Sequence, residues 1–433
     1  MSPINLPPRS KLIRSSHMEK KLKLIGPFSQ LLSMDNLPLK GALKDVQLEI
    51  VERAGLLVSD GLIQEVGNFD SLYKRWHHEA DYIAQNGDYV ALPAFVDCHT
   101  HICYAGNRAN DFALRNAGSS YLEIAEAGGG IWNTVSHTRD CEEAELARLT
   151  VDRSNSLLRQ GVTTIEVKSG YGLRIEEELK ILRAIKRANS DTAADLVPTC
   201  LAAHMLPRDF AGSEDEYLDL MAEVLLPQLK AEQLAARVDA FVEKTAFHAG
   251  SIKPYLQRAR ALGFDLTVHA DQFSTSGSRL AVELGARSAD HLEASTATEI
   301  ALLAASDTIA VALPAASIGI GCAFSPARKL LDAGASLAIA SDWNPGSAPM
   351  GQLLTSACVL ATMEKLSNAE VLAAMTFRSA YALNLRDRGK LASGMRADFI
   401  LFQTDNYQNI TYYQGSMQPS AVWKNGNKVF SIE

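Results

Sequence analysis

Residues 161–170 read GVTTIEVKSG, residues 175–189 read IEEELKILRAIKRAN, and residues 195–205 read DLVPTCLAAHM. The first and third are short apolar runs of strand character. The middle one spaces its apolar residues as an amphipathic helix does. A strand, a helix and a second strand in this order make a parallel βα unit, because parallel neighbours need a long crossover between them.

The same alternation recurs on both sides of this unit. Six more strand-like runs are LPAFVDCHTH (92–101), VDAFVEKTAF (238–247), FDLTVHADQ (264–272), RSADHLE (287–293), TIAVALP (308–314) and SLAIASDW (336–343). Helical stretches such as DEYLDLMAEVLLPQLKAEQLAAR (215–237) separate several of them. Eight βα units predict an α/β protein with a (β/α)8 TIM-type barrel. Such a barrel gathers its active site at the C-terminal ends of the strands. Ionisable residues close these runs: His99 and His101, Lys168, His204, Glu243, His269, His291 and Asp342.

The two chain ends read differently. LKLIGPF (22–28), GLLVSDGLIQEVGNF (55–69) and DYIAQNGDYVALP (81–93) are short strands with turns, as are GMRADFILFQ (394–403) and PSAVWKNGNKVFSI (419–432). Asp-Gly between two apolar runs is a strong hairpin signal, and NGN reads as a second turn. The expected organisation is a barrel over residues 93–385 and a small β-sandwich built from residues 21–92 and 386–433. Residues 1–20 read as a disordered extension.

Composition narrows the class. The chain has 433 residues and a formal net charge of -8, so it carries no basic footprint for nucleic acid or an anionic membrane. The apolar stretches are interrupted by charge or proline, which argues against a membrane span. The N-terminus lacks the apolar core of a signal peptide. Six cysteines without a CxxC pair predict reduced thiols in a cytoplasmic protein.

His99 and His101 are two apart, so at strand period both side chains project to one side. Alone, HxH is a weak signal. With His269 closing the fifth strand and Asp342 closing the eighth, three imidazoles and a carboxylate suit one divalent metal, Zn2+ or Fe2+. Such an ion lowers the pKa of bound water and polarises a carbonyl. His291, closing the sixth strand, is a candidate for stabilising the attacked oxygen or moving a proton. Glu243 reads as an ion-pairing residue, with Lys168 a possible partner. His17, His77, His78, His137 and His248 fall outside strand ends and read as surface residues. The glycines at 128–130 lack the preceding strand and the lysine of a phosphate loop, which leaves a flexible loop or tight packing.

Several segments carry a resemblance: PAFVDCHTHICYAGNR, YLEIAEAGGGIWNTV, GVTTIEVKSGYGL, LVPTCLAAHMLP, SADHLE and SDWNPGSAP. Together they resemble the imidazolonepropionase family of the amidohydrolase superfamily, from about residue 21 to the end. The resemblance implies a barrel with a β-sandwich from both chain ends, and usually a homodimer. It implies hydrolysis of 4-imidazolone-5-propionate to N-formimino-L-glutamate in histidine breakdown. It puts the metal on His99, His101, His269 and Asp342. It puts the substrate's propionate on Arg108 and Tyr171, its ring or propionate on His204, and the NPGS turn, with Asn344, Gly346 and Ser347, beside it. Arginine suits a carboxylate through paired hydrogen bonds.

Two segments depart from the family wording. HADQ (269–272) stands where the family commonly has HADE, and Gln272 cannot take a proton near neutrality. The expected proton carrier is therefore Asp342, with His291 second, while the Gln272 amide holds the ring. LPAASIGIGCAF (313–324) departs from the commoner LPGT. These departures motivate an alternative substrate, a hydantoin or thiohydantoin carrying a propionate arm. A nucleobase deaminase fits less well, because ammonia loss needs a proton donor where Gln272 stands. A binding protein that has lost turnover is disfavoured by the complete set of metal ligands.

Overall fold

The computed structural model describes residues 21–119, 123, 127–244 and 246–432. The extension expected at residues 1–20 lies outside them. Five strands come first: β1 (Leu22–Leu32), β2 (Ile50–Ser59), β3 (Leu62–Asn68), β4 (Ala80–Ala84) and β5 (Val90–Pro93). Eight follow: β6 (Phe95–Asp97), β7 (Val162–Lys168), β8 (Asp195–Ala203), β9 (Arg237–Val242), β10 (Asp265–Ala270), β11 (Ser288–His291), β12 (Ile309–Ala312) and β13 (Leu337–Ile339). Three close the chain: β14 (Phe399–Phe402), β15 (Ala421–Lys424) and β16 (Asn427–Ser431).

Strands β6 to β13 pair in sequence order, each parallel to the next. Each overlaps one of the eight runs read from the sequence, β9 starting one residue earlier at Arg237. The two ends of this sheet meet just past β6 and β13. There Asp342 N–H donates to His99 O at 3.0 Å, His101 N–H donates to Trp343 O at 2.9 Å, and Thr100 bridges Trp343. This is the (β/α)8 barrel. Helix Ile175–Asp191 forms as expected, and the 215–237 stretch is helical from Glu214 to Glu232, with a π-helical turn at Met221–Leu225.

Period two sorts each strand into two faces. Ile165 and Val167, Val238 and Ala240, and Leu266 and Val268 belong to the large apolar core. The other parity is polar: Thr164, Glu166 and Lys168 on β7, Arg237 and Asp239 on β9, Thr267 and His269 on β10, Ser288 and Asp290 on β11. All of these are buried. Lys168 Nζ lies 2.8 Å from Asp239 and 3.9 Å from Asp290. Strands β7, β9 and β11 are not neighbours, so these contacts cross the barrel interior. Branched apolar side chains usually fill that space; here it is an ionic column beneath the mouth.

The remaining eight strands form one mixed sheet from both chain ends, in the order β16-β15-β14-β5-β1-β2-β3, with β4 on β1. Residues of β1, β2, β3, β14 and β15 share a separate apolar core that includes Phe28, Leu56, Phe399 and Trp423. Both hairpin signals hold. Asp60 and Gly61 between β2 and β3, and Asn425 and Gly426 between β15 and β16, have positive φ at both positions. That is the turn whose twist matches paired strands.

Candidate metal centre and active site

The mouth of the barrel gathers the residues expected to hold a metal. His101 Nε2 lies 3.3 Å from His99 Nε2 and 3.3 Å from His269 Nε2. Asp342 Oδ1 lies 3.5 Å from His99 Nε2 and 3.4 Å from His101 Nε2. All four side chains are buried. Ligands about 2.0–2.1 Å from a tetrahedral ion sit roughly 3.3–3.4 Å from one another, and these four separations are close to that spacing. The two-residue spacing of HxH works as strand geometry predicts. Asp342 reaches the cluster through a left-handed backbone, with φ 48°.

Buried carboxylates set the direction of two rings, and sequence reading missed them. Asp290 Oδ2 lies 2.6 Å from His99 Nδ1, and Asp239 Oδ2 lies 2.9 Å from His269 Nδ1. Each engages the far nitrogen and leaves Nε2 for the centre, an arrangement that fixes the tautomer of metal-binding histidines. Lys168 ties these carboxylates together, and its Nζ is also 2.8 Å from Glu166. Thr199 Oγ1 donates to Glu166 Oε1 at 2.5 Å. The available signal was a charge at inward parity within each apolar run, in TIEVK, VDAFV and SADH. Strand-end reading overlooked it. The expected Glu243–Lys168 pairing does not form. Glu243 instead accepts from the N–H groups of Phe273 and Ser274, at 2.9 and 3.0 Å, and braces the loop after β10.

His291 also faces the cluster, its ring 5.3 Å from that of His269 and 5.8 Å from that of His99. His204 stacks beside His101 at 5.7 Å, with Tyr171 6.0 Å from His101. His204 Nδ1 lies 2.9 Å from Gly170 O, a contact that orients its ring. Arg108 Nε donates to Asp111 Oδ2 at 2.7 Å, and the Gly130 N–H donates to the same oxygen at 2.8 Å. The third glycine of GGG thus helps fix Arg108 through Asp111, which favours packing for that residue. The Asn344 side chain closes the NPGS turn, accepting from the N–H groups of Gly346 and Ser347 at 2.7 and 2.8 Å. A Cβ on Gly346 would come 2.3 Å from Arg108 Nη1, so a side chain there would push the guanidinium from this position. Gln272 is half-buried and makes no side-chain hydrogen bond among the described residues. His77, His78, His137 and His248 are exposed, as expected.

Burial dominates the electrostatics. It holds His99 and His101 well below the usual imidazole range, and lowers His269 to about 3 and His204 to about 4. Neutral imidazoles are the form a metal needs. Burial pushes Asp342 up to about 6 and Asp290 up to about 7. Burial works to raise Asp239, but His269 and Lys168 outweigh it and keep that carboxylate low. Burial likewise opposes the charge on Lys168, and its surrounding carboxylates overcome this. At His291 burial works downward, and Glu293 outweighs it, so the pKa is raised.

Similarity to known proteins identifies the family. The amidohydrolase family model matches residues 127–430. The imidazolonepropionase of Herpetosiphon aurantiacus is 39% identical over 419 residues, covering 94% of this chain and 97% of the relative. That of Rubrobacter xylanophilus is 42% identical over 395 residues, covering 90% and 94%. Among solved structures, a triazine hydrolase variant superposes with a TM-score of 0.72 at 17% identity, covering 95% of each chain. An adenosine deaminase from Xanthomonas campestris with bound zinc gives 0.67 at 18% identity, covering 95% and 93%. At such identity these structures speak for the fold, while the closer sequences speak for the family. The chain belongs to the imidazolonepropionase family of amidohydrolases.

Proposed function

We propose that this chain hydrolyses the cyclic amide of 4-imidazolone-5-propionate to N-formimino-L-glutamate, a step in histidine breakdown. The observation that carries the reading is the convergence of three imidazole Nε2 atoms and Asp342 at ligand spacing in a chain of this family. His99, His101, His269 and Asp342 would hold one divalent ion, zinc or iron(II). When bound, that ion supplies Lewis acidity toward the ring carbonyl and acidifies water.

The protein's own groups do the rest. Asp111 occupies Arg108 Nε, which leaves the terminal edge of the guanidinium for the propionate. Tyr171 stays a neutral phenol, since burial raises its pKa, and donates to the same carboxylate. His204 and the Gln272 amide hold the ring, and the Asn344–Ser347 turn closes beside it. Water oxygen adds to the ring carbonyl carbon and the carbon–nitrogen bond breaks. Asp342, beside the water, takes its proton and delivers it to the leaving nitrogen. His291 lies where charge develops on the carbonyl oxygen. The reading extends to a cytoplasmic homodimer; no helix among the described residues is long and apolar enough to cross a membrane.

The test is product identification from 4-imidazolone-5-propionate with metal-loaded wild type and Gln272→Glu. Formation of N-formimino-L-glutamate by wild type at a rate matching a relative's is expected, with Gln272→Glu changing it by less than about tenfold. No ring opening under conditions where a relative works would sink the proposal. A large gain from Gln272→Glu would instead point to a changed substrate.

A further inference from the structure

The LPAASIGIG segment (313–321), set apart by its wording, forms helix Pro314–Ile320 after β12. Its Ser317 is buried, and Ser317 Oγ donates to Glu293 Oε1 at 3.0 Å. The other oxygen of Glu293 lies 3.6 Å from His291 Nδ1. Both of these facing atoms are buried and neither has a hydrogen-bond partner. The pattern repeats what surrounds the metal centre, where Asp290 backs His99 and Asp239 backs His269.

The backbone explains how Glu293 comes to stand there. Asp290 points inward, so at strand period His291 would face the outer helices, as Ala289 does. His291 and Leu292 instead adopt φ 87° and 71°, two consecutive left-handed residues without glycine. That strain turns the imidazole into the mouth and brings Glu293 back beneath it. Neighbours hold the turn: Ser325 Oγ donates to His291 O, and the Leu292 N–H donates to Ala270 O at 3.0 Å. Strain held by surrounding structure in this way is characteristic of functional sites.

We infer that Glu293, steadied by Ser317, is a positioning residue for His291, holding its Nδ1 so that Nε2 faces the reacting carbonyl. This rests on the role proposed for His291. Neither residue touches substrate; both act through the imidazole. A carboxylate at Nδ1 selects the tautomer and steadies the ring, the part an orienting carboxylate plays behind a catalytic histidine.

The experiment compares His291→Asn, Glu293→Gln, Ser317→Ala and Ser317→Thr in the metal-loaded full chain, with kcat, KM, bound metal and Tm measured for each. Gln keeps an acceptor for Ser317 while removing the carboxylate facing Nδ1. Glu293→Gln is expected to lower kcat by about 10–100-fold, with KM and bound metal within about twofold of wild type. Ser317→Ala lowers kcat by roughly 3–10-fold, and Ser317→Thr, which retains the hydroxyl, restores it. If His291→Asn itself keeps wild-type kcat, the role of His291 fails and this inference falls with it. If His291→Asn is slow while Glu293→Gln and Ser317→Ala keep wild-type kcat, the inference alone is overturned, and a lowered Tm would then mark Glu293 as a brace for the helix. Should Glu293→Gln not fold, the Ser317 pair decides by the same criterion.

Discussion

Both ends of the barrel gather charge, but they do it in opposite ways. At the N-terminal end, Asp195 Oδ2 lies 2.5 Å from Arg388 Nη1 and 2.7 Å from both Arg396 Nη1 and Lys424 Nζ. Lys424 also reaches Asp398 at 2.8 Å, and Arg388 reaches Asp387 at 2.8 Å. Three cations and three carboxylates answer one another, and they join β8 to the terminal sheet. At the C-terminal end, His101 Nε2 lies 3.3 Å from both His99 Nε2 and His269 Nε2, three imidazoles that burial keeps neutral, beside a carboxylate that burial has raised. The first cluster is complete within the protein, and the second turns imidazole nitrogens toward one another, the arrangement proposed to take a metal ion. A charge cluster therefore reads as structural or functional by whether its members satisfy one another.

The comparison can be broken most sharply at the mouth. His101→Ala should abolish stoichiometric metal binding and lower kcat/KM on the order of 10³-fold. The metal-free variant should melt within about 5 °C of metal-free wild type, since the ring mainly faces other donors. A collapse of the metal-free fold would show that the histidines hold the barrel. Arg108→Met comes next, expected to raise KM for the propionate substrate by about 10–100-fold, the worth of one or two charge-assisted hydrogen bonds. An unchanged KM would remove Arg108 from the carboxylate site.

The opposite end should respond in stability rather than rate. Asp195→Asn should cost about 1–3 kcal/mol in denaturant unfolding and leave kcat unaltered, because the carboxylate is partly exposed and three cations each lose one of their carboxylate partners. The smallest effect is on acid stability. Burial works to raise Asp195, but Lys424, Arg396 and Arg388 outweigh it and hold its pKa low in the fold. A lowered folded pKa contributes stability that is present above the ordinary carboxylate value of 3.8 and drains as pH falls below it. Wild type should therefore lose its advantage over Asp195→Asn below about pH 4. A constant gap from pH 7 down to pH 3 would contradict the ionic reading.

Much of this was legible before the fold was known. The eight strands were readable because each is a short apolar run set off by helices, and periodicity is a local property. The proposed ligands were readable because each closes such a run, and a barrel gathers strand ends. The orienting groups were harder. Asp239 and Asp290 sit inside strands, and Lys168 meets them only across the barrel, between strands that are not neighbours. Glu243 shows the converse error: it closes a run, yet it braces a loop.

The sequence by itself determined the alternation of strands and helices, the hairpins at Asp60-Gly61 and Asn425-Gly426, and the shared side of His99 and His101. These rest on spacing of a few residues, and side-chain period converts that spacing directly into geometry. Only the tertiary structure decided where His291 points, because two left-handed residues reverse the direction strand parity would assign. It alone paired Glu293 with Ser317, His99 with Asp290, and His269 with Asp239. Contacts between side chains far apart in the chain depend on barrel closure and on how neighbouring strands align, and no local pattern encodes either.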